Sequence, residues 1–270
     1  MYASKLIVVK AAKLETRSPL KDKPLRNPGQ SVQEEINKVI EDEVESYLVV
    51  WVMTFAVAGV TFAQWLFNIP SSIMLAIALF YVVGISIVAL PKLYGAIQTI
   101  KRLKQARDGE IAVAEYLDLL REHECRVLHD IVGENFNLDH VIISPQGVFT
   151  IETKTLSKYV GRNSKLYFDG ESISIERHAL PLNPIPQAKA QAAWLRNILE
   201  VSTGKAFKIK PVVVFPGWYI ERLPQGKASD VWVLEPKSLK HFLKNEARIL
   251  SKEDIALATF HLKRYIRTSA

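Results

Sequence analysis

Residues Asn137–Lys154, NLDHVIISPQGVFTIETK, are two runs rich in Val, Ile, Phe and Thr with Pro145-Gln146-Gly147 between them. β-Branched and aromatic residues favour strands, while Pro suits the second position of a type I turn and Gly the fourth. The stretch therefore predicts a β-hairpin in which Ser144 faces Gly147. Counting back in antiparallel register pairs 143 with 148, 142 with 149 and finally 139 with 152. Residues opposed in this way carry Cβ atoms about 4.5–5.5 Å apart. Asp139 and Glu152 then meet at the open end of the hairpin, and Lys154, two residues on, points to the same face. A three-residue loop would instead shift the pairing by one.

Like charges directly across a ladder repel unless a cation lies between them. A hard divalent ion such as Mg²⁺ serves this purpose and is commonly held by one or two carboxylates, with water and substrate phosphate completing its shell. Lys154 would then orient water or stabilise charge developing on phosphate. On spacing alone, a solvated Asp–Lys or Glu–Lys pair explains the same residues equally well.

The chain has 270 residues and a formal net charge of +7, which suits an anionic partner, either nucleic acid or a membrane surface. Its 49% apolar content is concentrated locally: Leu48 to Leu90 contains no Asp, Glu, Lys, Arg or His. The single cysteine, Cys125, excludes an intramolecular disulfide and a cysteine-based zinc site. The six histidines show no H-x-x-x-H or H-E-x-x-H spacing, and there is no phosphate-binding G-x-x-x-x-G-K-[ST] loop. A zinc hydrolase and an ATP-driven motor are thus unsupported.

Residues 1–30 are basic and poorly patterned, and 31–46 place Val32, Ile36, Val39, Ile40 and Val44 near helical spacing opposite an acidic face. Leu48–Phe67 and Ile73–Leu90 are each of a length to cross a bilayer's hydrocarbon core, with the turn Asn68-Ile69-Pro70-Ser71-Ser72 between them. This predicts a transmembrane helical hairpin, with Trp65 and Tyr94 at the two interfaces. The turn carries no Lys or Arg, whereas Lys92, Lys101, Arg102, Lys104 and Arg107 follow the second run. The positive-inside rule then puts both termini in the cytoplasm and the anchor in the cell membrane. The expected division is a basic tail and amphipathic helix at 1–46, the membrane hairpin at 47–92, a juxtamembrane helical linker at 93–108, and a domain at 109–270.

In that domain a helical stripe extends to about Glu122, interrupted at Gly109-Glu110, where a break or a new helix start is expected. Glu110 reads as a helix-start carboxylate or as a third acid beside the hairpin. A strand at Val127–Val132 precedes the hairpin, and a second hairpin turns at Asp169-Gly170. Helix 186–201 follows, with Gln187 and Gln191 four residues apart on one face. Strands at Pro211–Phe215 and Val231–Leu234 and helices at 236–245 and 252–267 complete an α/β domain with a mixed sheet. Ser251 and Asp254 have the spacing of a capping box. The basic and aromatic residues Lys158-Tyr159, Arg162 and Lys165-Leu166-Tyr167 read either as a track for a nucleic-acid backbone or as a solvated strand face.

Four of these features, in order, resemble the NERD (nuclease-related domain) family: Gly109-Glu110 with its helix, Asp139-His140, Pro145-Gln146-Gly147-Val148-Phe149 with Glu152-Thr153-Lys154, and Asn183-Pro184 with Gln187. The resemblance covers roughly residues 105–220 and leaves out the apolar hairpin. It implies a restriction-endonuclease-like αβββαβ core of the PD-(D/E)XK type. It also implies that Asp139 and Glu152 bind Mg²⁺ or Mn²⁺, that Lys154 is the signature lysine, that Glu110 is the helix acid helping to order the metal or its water, and that Gln187 is the glutamine of the later helix. The activity implied is divalent-metal-dependent phosphodiester hydrolysis in nucleic acid, with DNA favoured over RNA, beside the lipid bilayer. The alternative is a catalytically silent module that binds nucleic acid or protein at the membrane. Oligomeric state is not readable from the sequence.

Overall fold

The computed structural model describes residues 23–67, 72–134, 136–158, 165–175 and 178–269. The tail before residue 23, the turn at 68–71, Tyr159 and Arg162 lie outside the described residues. Helix α1 (Gln30–Val39) runs through a π-helical turn at Ile40–Glu45 into α2 (Ser46–Leu66). Gly29 precedes α1 in the left-handed region (φ 70°), which reverses the chain at little steric cost. Helix α3 (Ser72–Asp118) runs 47 residues, roughly 70 Å at 1.5 Å per residue. Trp51 Nε1 donates to Ser86 Oγ at 3.1 Å, tying α2 to α3. Two helices are long and apolar enough to cross a membrane, and only 6% and 11% of their apolar windows are buried within the protein. A buried helical pair in a soluble core would hide most of that surface. Here Ile73 and Phe80 are 78% and 79% exposed.

Helix α3 does not break at Gly109, contrary to the sequence expectation. A glycine inside a helix costs about 1 kcal/mol. The turns beyond it bury Val113, Leu117 and Leu120 against the sheet, which outweighs that cost. The second apolar span and the first helix of the domain are therefore one rod.

The main sheet comprises β1 (Arg126–Val132), β2 (Asn137–Ser144), β3 (Gly147–Thr153), β7 (Ile209–Val214) and β9 (Trp232–Leu234), in that order. β1, β2 and β3 pair antiparallel, and β3, β7 and β9 pair parallel. Helices α4 (Ile185–Thr203) and α7 (Lys252–Ser269) cover one face, where Leu195, Leu199 and Leu262 meet Val141, Ile143 and Val148. Helices α3 and α6 (Leu239–Lys244) cover the other, against Ile142, Phe149 and Ile151. Covered on both sides, every residue of β3 is buried, including the polar Thr150, Glu152 and Thr153. With the strands between 165 and 179 inserted after β3, the order α3-β1-β2-β3-α4-β7 is the expected αβββαβ core.

A second sheet, β6-β5-β4-β8, is built from β4 (Lys165–Phe168), β5 (Ile173–Ile175), β6 (His178–Ala179) and β8 (Tyr219–Arg222). The Asp169-Gly170 turn forms as the sequence predicts: Phe168 pairs with Ile173, and Asp169 Oδ1 accepts from the N–H groups of Glu171 and Ser172. A short helix, α5 (Pro224–Lys227), follows β8. At the head of α7 the expected capping box closes reciprocally, Ser251 N to Asp254 Oδ2 and Asp254 N to Ser251 Oγ, each at 3.1 Å.

Candidate metal centre

The hairpin has the register the turn dictates, with Ser144 paired to Gly147, Ile143 to Val148 and His140 to Ile151. The paired register ends at that last pair, and Asp139 and Glu152 are the next residues on the two strands, near enough for their charges to repel. The Thr153 N–H donates to Asp139 Oδ2 at 2.6 Å. Lys154 Nζ donates to Glu152 Oε1 at 2.6 Å and to Gln187 Oε1 at 3.1 Å. Gln191 Nε2 donates to the other oxygen, Glu152 Oε2, at 2.6 Å, and to the Asn137 carbonyl at 2.9 Å. Strand β3 ends where the Lys154 N–H bonds the Val214 carbonyl, so the lysine projects from the carboxyl end of the parallel strands.

Glu110 reaches this end of the sheet from α3, and Gly109 is what lets the helix come so near. A Cβ built on Gly109 would lie 1.8 Å from Thr155 Oγ1. Glu110 is buried, and that burial, with repulsion from Asp130 and Glu152, raises its pKa to about 7 against the opposing pull of Lys154 and of a hydrogen bond from the Gly29 backbone. Burial, then the charges of Glu152 and Glu110, push Asp139 well above the ordinary carboxylate range, offset in part by the Thr153 N–H and Lys154.

Asp139, Glu152, Lys154 and Gln187 thus converge with Glu110 beside them. Sequence reasoning stopped short of Gln191, although its spacing from Gln187 placed both on one face of α4. It also missed Asp130, a lone acid among the apolar residues of β1. His140 is fully buried on the opposite side of β2, its Nδ1 2.9 Å from that of His129 on β1, and burial lowers the pKa of both rings.

These donors suit a hard dication. Three mutually repelling carboxylates occupy the end of one sheet, and all the donors are oxygen. Among the described residues the Asp139 carboxylate has a single hydrogen bond, at Oδ2. Among the described residues no group of three or more His, Cys, Asp or Glu side chains is arranged to hold an ion.

The family comparison falls on this same stretch. Residues 105–216 match the family model of the NERD (nuclease-related) domain. The match opens inside α3, five residues ahead of Glu110, and closes just beyond β7, so the matched segment contains every residue of the centre described above. Comparison with curated proteins and with solved structures returns no match.

Proposed function

We propose that the chain is a membrane-anchored, divalent-metal-dependent nuclease whose NERD domain works on the cytoplasmic side. The observation that carries the reading is the placement of Lys154 Nζ between Glu152 and Gln187, with the Asp139 carboxylate near enough to Glu152 for the two to repel. Asp139 and Glu152 would hold Mg²⁺ or Mn²⁺, which when bound supplies Lewis acidity toward a phosphate oxygen and the nucleophilic water. Gln191 fixes the Glu152 carboxylate from the far side, and Gln187 keeps the Lys154 ammonium aimed at the reacting phosphate, where it stabilises negative charge. Glu110, with a pKa near 7, is suited to exchange a proton with water at the site.

Nucleic acid as the partner is supported by cations held against aromatic rings near this sheet edge. Lys165 Nζ lies 5.3 Å from the centre of the Tyr219 ring, and Arg222 lies 4.6 Å from that of Phe242. Trp218, Tyr219, Arg222, Lys237 and Phe242 line a recess of about 460 Å³ past the ends of β7 and β9. Bases stack on exposed rings such as Tyr219, 63% exposed, while the cations meet phosphate. The exposed apolar surfaces of α2 and α3 support insertion in the bilayer, and the basic residues after the second span support a cytoplasmic domain. Incubating the full chain in lipid nanodiscs with DNA and RNA, with and without Mg²⁺ or Mn²⁺, tests the proposal. Binding without cleavage under all conditions would instead make it a silent module.

A further inference from the structure

A segment ahead of the first apolar helix closes one wall of the centre. Arg26 has a side chain only 9% exposed. Its guanidinium donates through Nε to Asp130 Oδ2 at 2.5 Å and through Nη2 to Ser31 Oγ at 2.9 Å and Glu34 Oε2 at 2.7 Å. The Ser31 N–H donates to the same Asp130 oxygen at 3.0 Å.

Asp130 is 1% exposed and stands in the middle of β1 with φ 51°, a left-handed conformation that non-glycine residues seldom adopt. The ladder keeps its register on both sides, His129 with His140 and Ile131 with Leu138, so the inversion is confined to one residue. Holding a residue there costs on the order of 1 kcal/mol and persists only where surrounding contacts impose it.

Between Arg26 and Ser31, Gly29 turns the chain onto α3. Its backbone N–H bonds Glu110, and a Cβ in its place would lie 2.9 Å from Arg107 Cγ. Arg107 in turn donates to Gln33 Oε1 on α1 at 2.5 Å. The lead-in to α1 ends on two acids at the centre, and β1 inverts a residue to receive it.

We infer that residues 26–31 are a strap that positions Glu110, locked by the Arg26–Asp130 clasp, so that the centre is complete only when the segment leading into the first apolar helix is docked. Arg26 and Asp130 are positioning residues. The inference rests on the proposed metal centre only for its effect on ion binding. The strap continues into α1 and α2, and Glu110 rides on α3, so both apolar helices end their cytoplasmic courses at one acid.

The test uses the full chain in lipid nanodiscs, with hydrogen exchange at backbone amides 29–36 and 107–114 and with Mn²⁺ titrated by electron paramagnetic resonance. Arg26→Ala is expected to raise exchange in both windows and to weaken Mn²⁺ binding about tenfold, as loss of an outer-shell support does. Arg26→Lys keeps the charge without the planar fork and is expected to lie between. Added to Glu110→Gln, Arg26→Ala should weaken Mn²⁺ binding no further. Should Arg26→Ala fail to fold, Gly29→Ala, which spares the clasp and strains the turn, is expected to give the same two-window response. A rise confined to 29–36 with unchanged Mn²⁺ affinity would overturn the inference. If the native chain binds no Mn²⁺, the metal reading fails, and exchange at 107–114 still decides whether the strap positions the helix of Glu110.

Discussion

Gly109 lies so close to Thr155 that any side chain on it would overlap the threonine: its Cβ would be 1.8 Å from Oγ1 and 3.0 Å from Cβ. This approach sets how near α3, and with it Glu110, comes to the end of β3. Gly109→Ala is expected to cost about 1–3 kcal/mol by overpacking and to weaken Mn²⁺ binding. Thr155→Ala in the same chain removes Oγ1 and should restore part of the stability, a coupling read from thermal melting of the two single variants and the double.

Glu152 is only 3% exposed and depends on donors at both oxygens. Gln191→Leu leaves Oε2 without its donor and is expected to lower stability by roughly 1–3 kcal/mol. Lys154→Met leaves Oε1 of Glu152 and Oε1 of Gln187 facing each other with no proton between them. Cleavage should fall at least about a hundredfold, as on loss of a preorganised charge-stabilising donor, while membrane association is unchanged. Single-turnover kinetics and vesicle flotation read the two effects separately.

The raised pKa of Glu110 has a signed consequence for stability. Its folded value is about 7 against 4.5 for an unperturbed glutamate. Between those values the folded chain holds more protons than the unfolded one. The contribution of this group is therefore fully present below about pH 4.5 and is lost as pH rises through about 7, by roughly 3 kcal/mol. Glu110→Gln removes the slope, so the melting temperature of the native chain should fall relative to that of the variant between about pH 5 and 8. Mn²⁺ near the same carboxylates stabilises their charged forms and should flatten the difference.

The cation–aromatic recess gives a prediction about salt. Arg222→Ala with Lys237→Ala is expected to weaken nucleic-acid binding and to make it less salt-dependent, by roughly one unit in log–log slope for each phosphate that is no longer neutralised. Titrations at several salt concentrations measure this without requiring cleavage.

Much of this arrangement was legible locally. The nearness of Asp139 to Glu152 follows from a turn that fixes register and from strands whose side chains alternate strictly. Lys154 follows from the same period of two. The capping box at Ser251 and the Asp169-Gly170 turn are likewise short-range. Gly109 was read through its local cost to a helix, whereas its reason is the close approach of Thr155, 46 residues away in sequence. Asp130 and Arg26 are separated by 104 residues, and no spacing rule links a basic residue before an apolar helix to an inverted acid in a strand. Of the second sheet the sequence showed only the hairpin at Asp169-Gly170; β8 escaped because it is four residues long and joins β4 in parallel from beyond α4 and β7.

Cleavage by the full chain in nanodiscs, compared with Asp139→Ala and Glu152→Ala variants that keep the native melting transition, tests the central claim most directly. The predicted result is hydrolysis of nucleic acid that requires Mg²⁺ or Mn²⁺ and disappears in both variants while membrane insertion persists. Nucleic-acid binding with no hydrolysis at any divalent concentration, unchanged by either substitution, would contradict it.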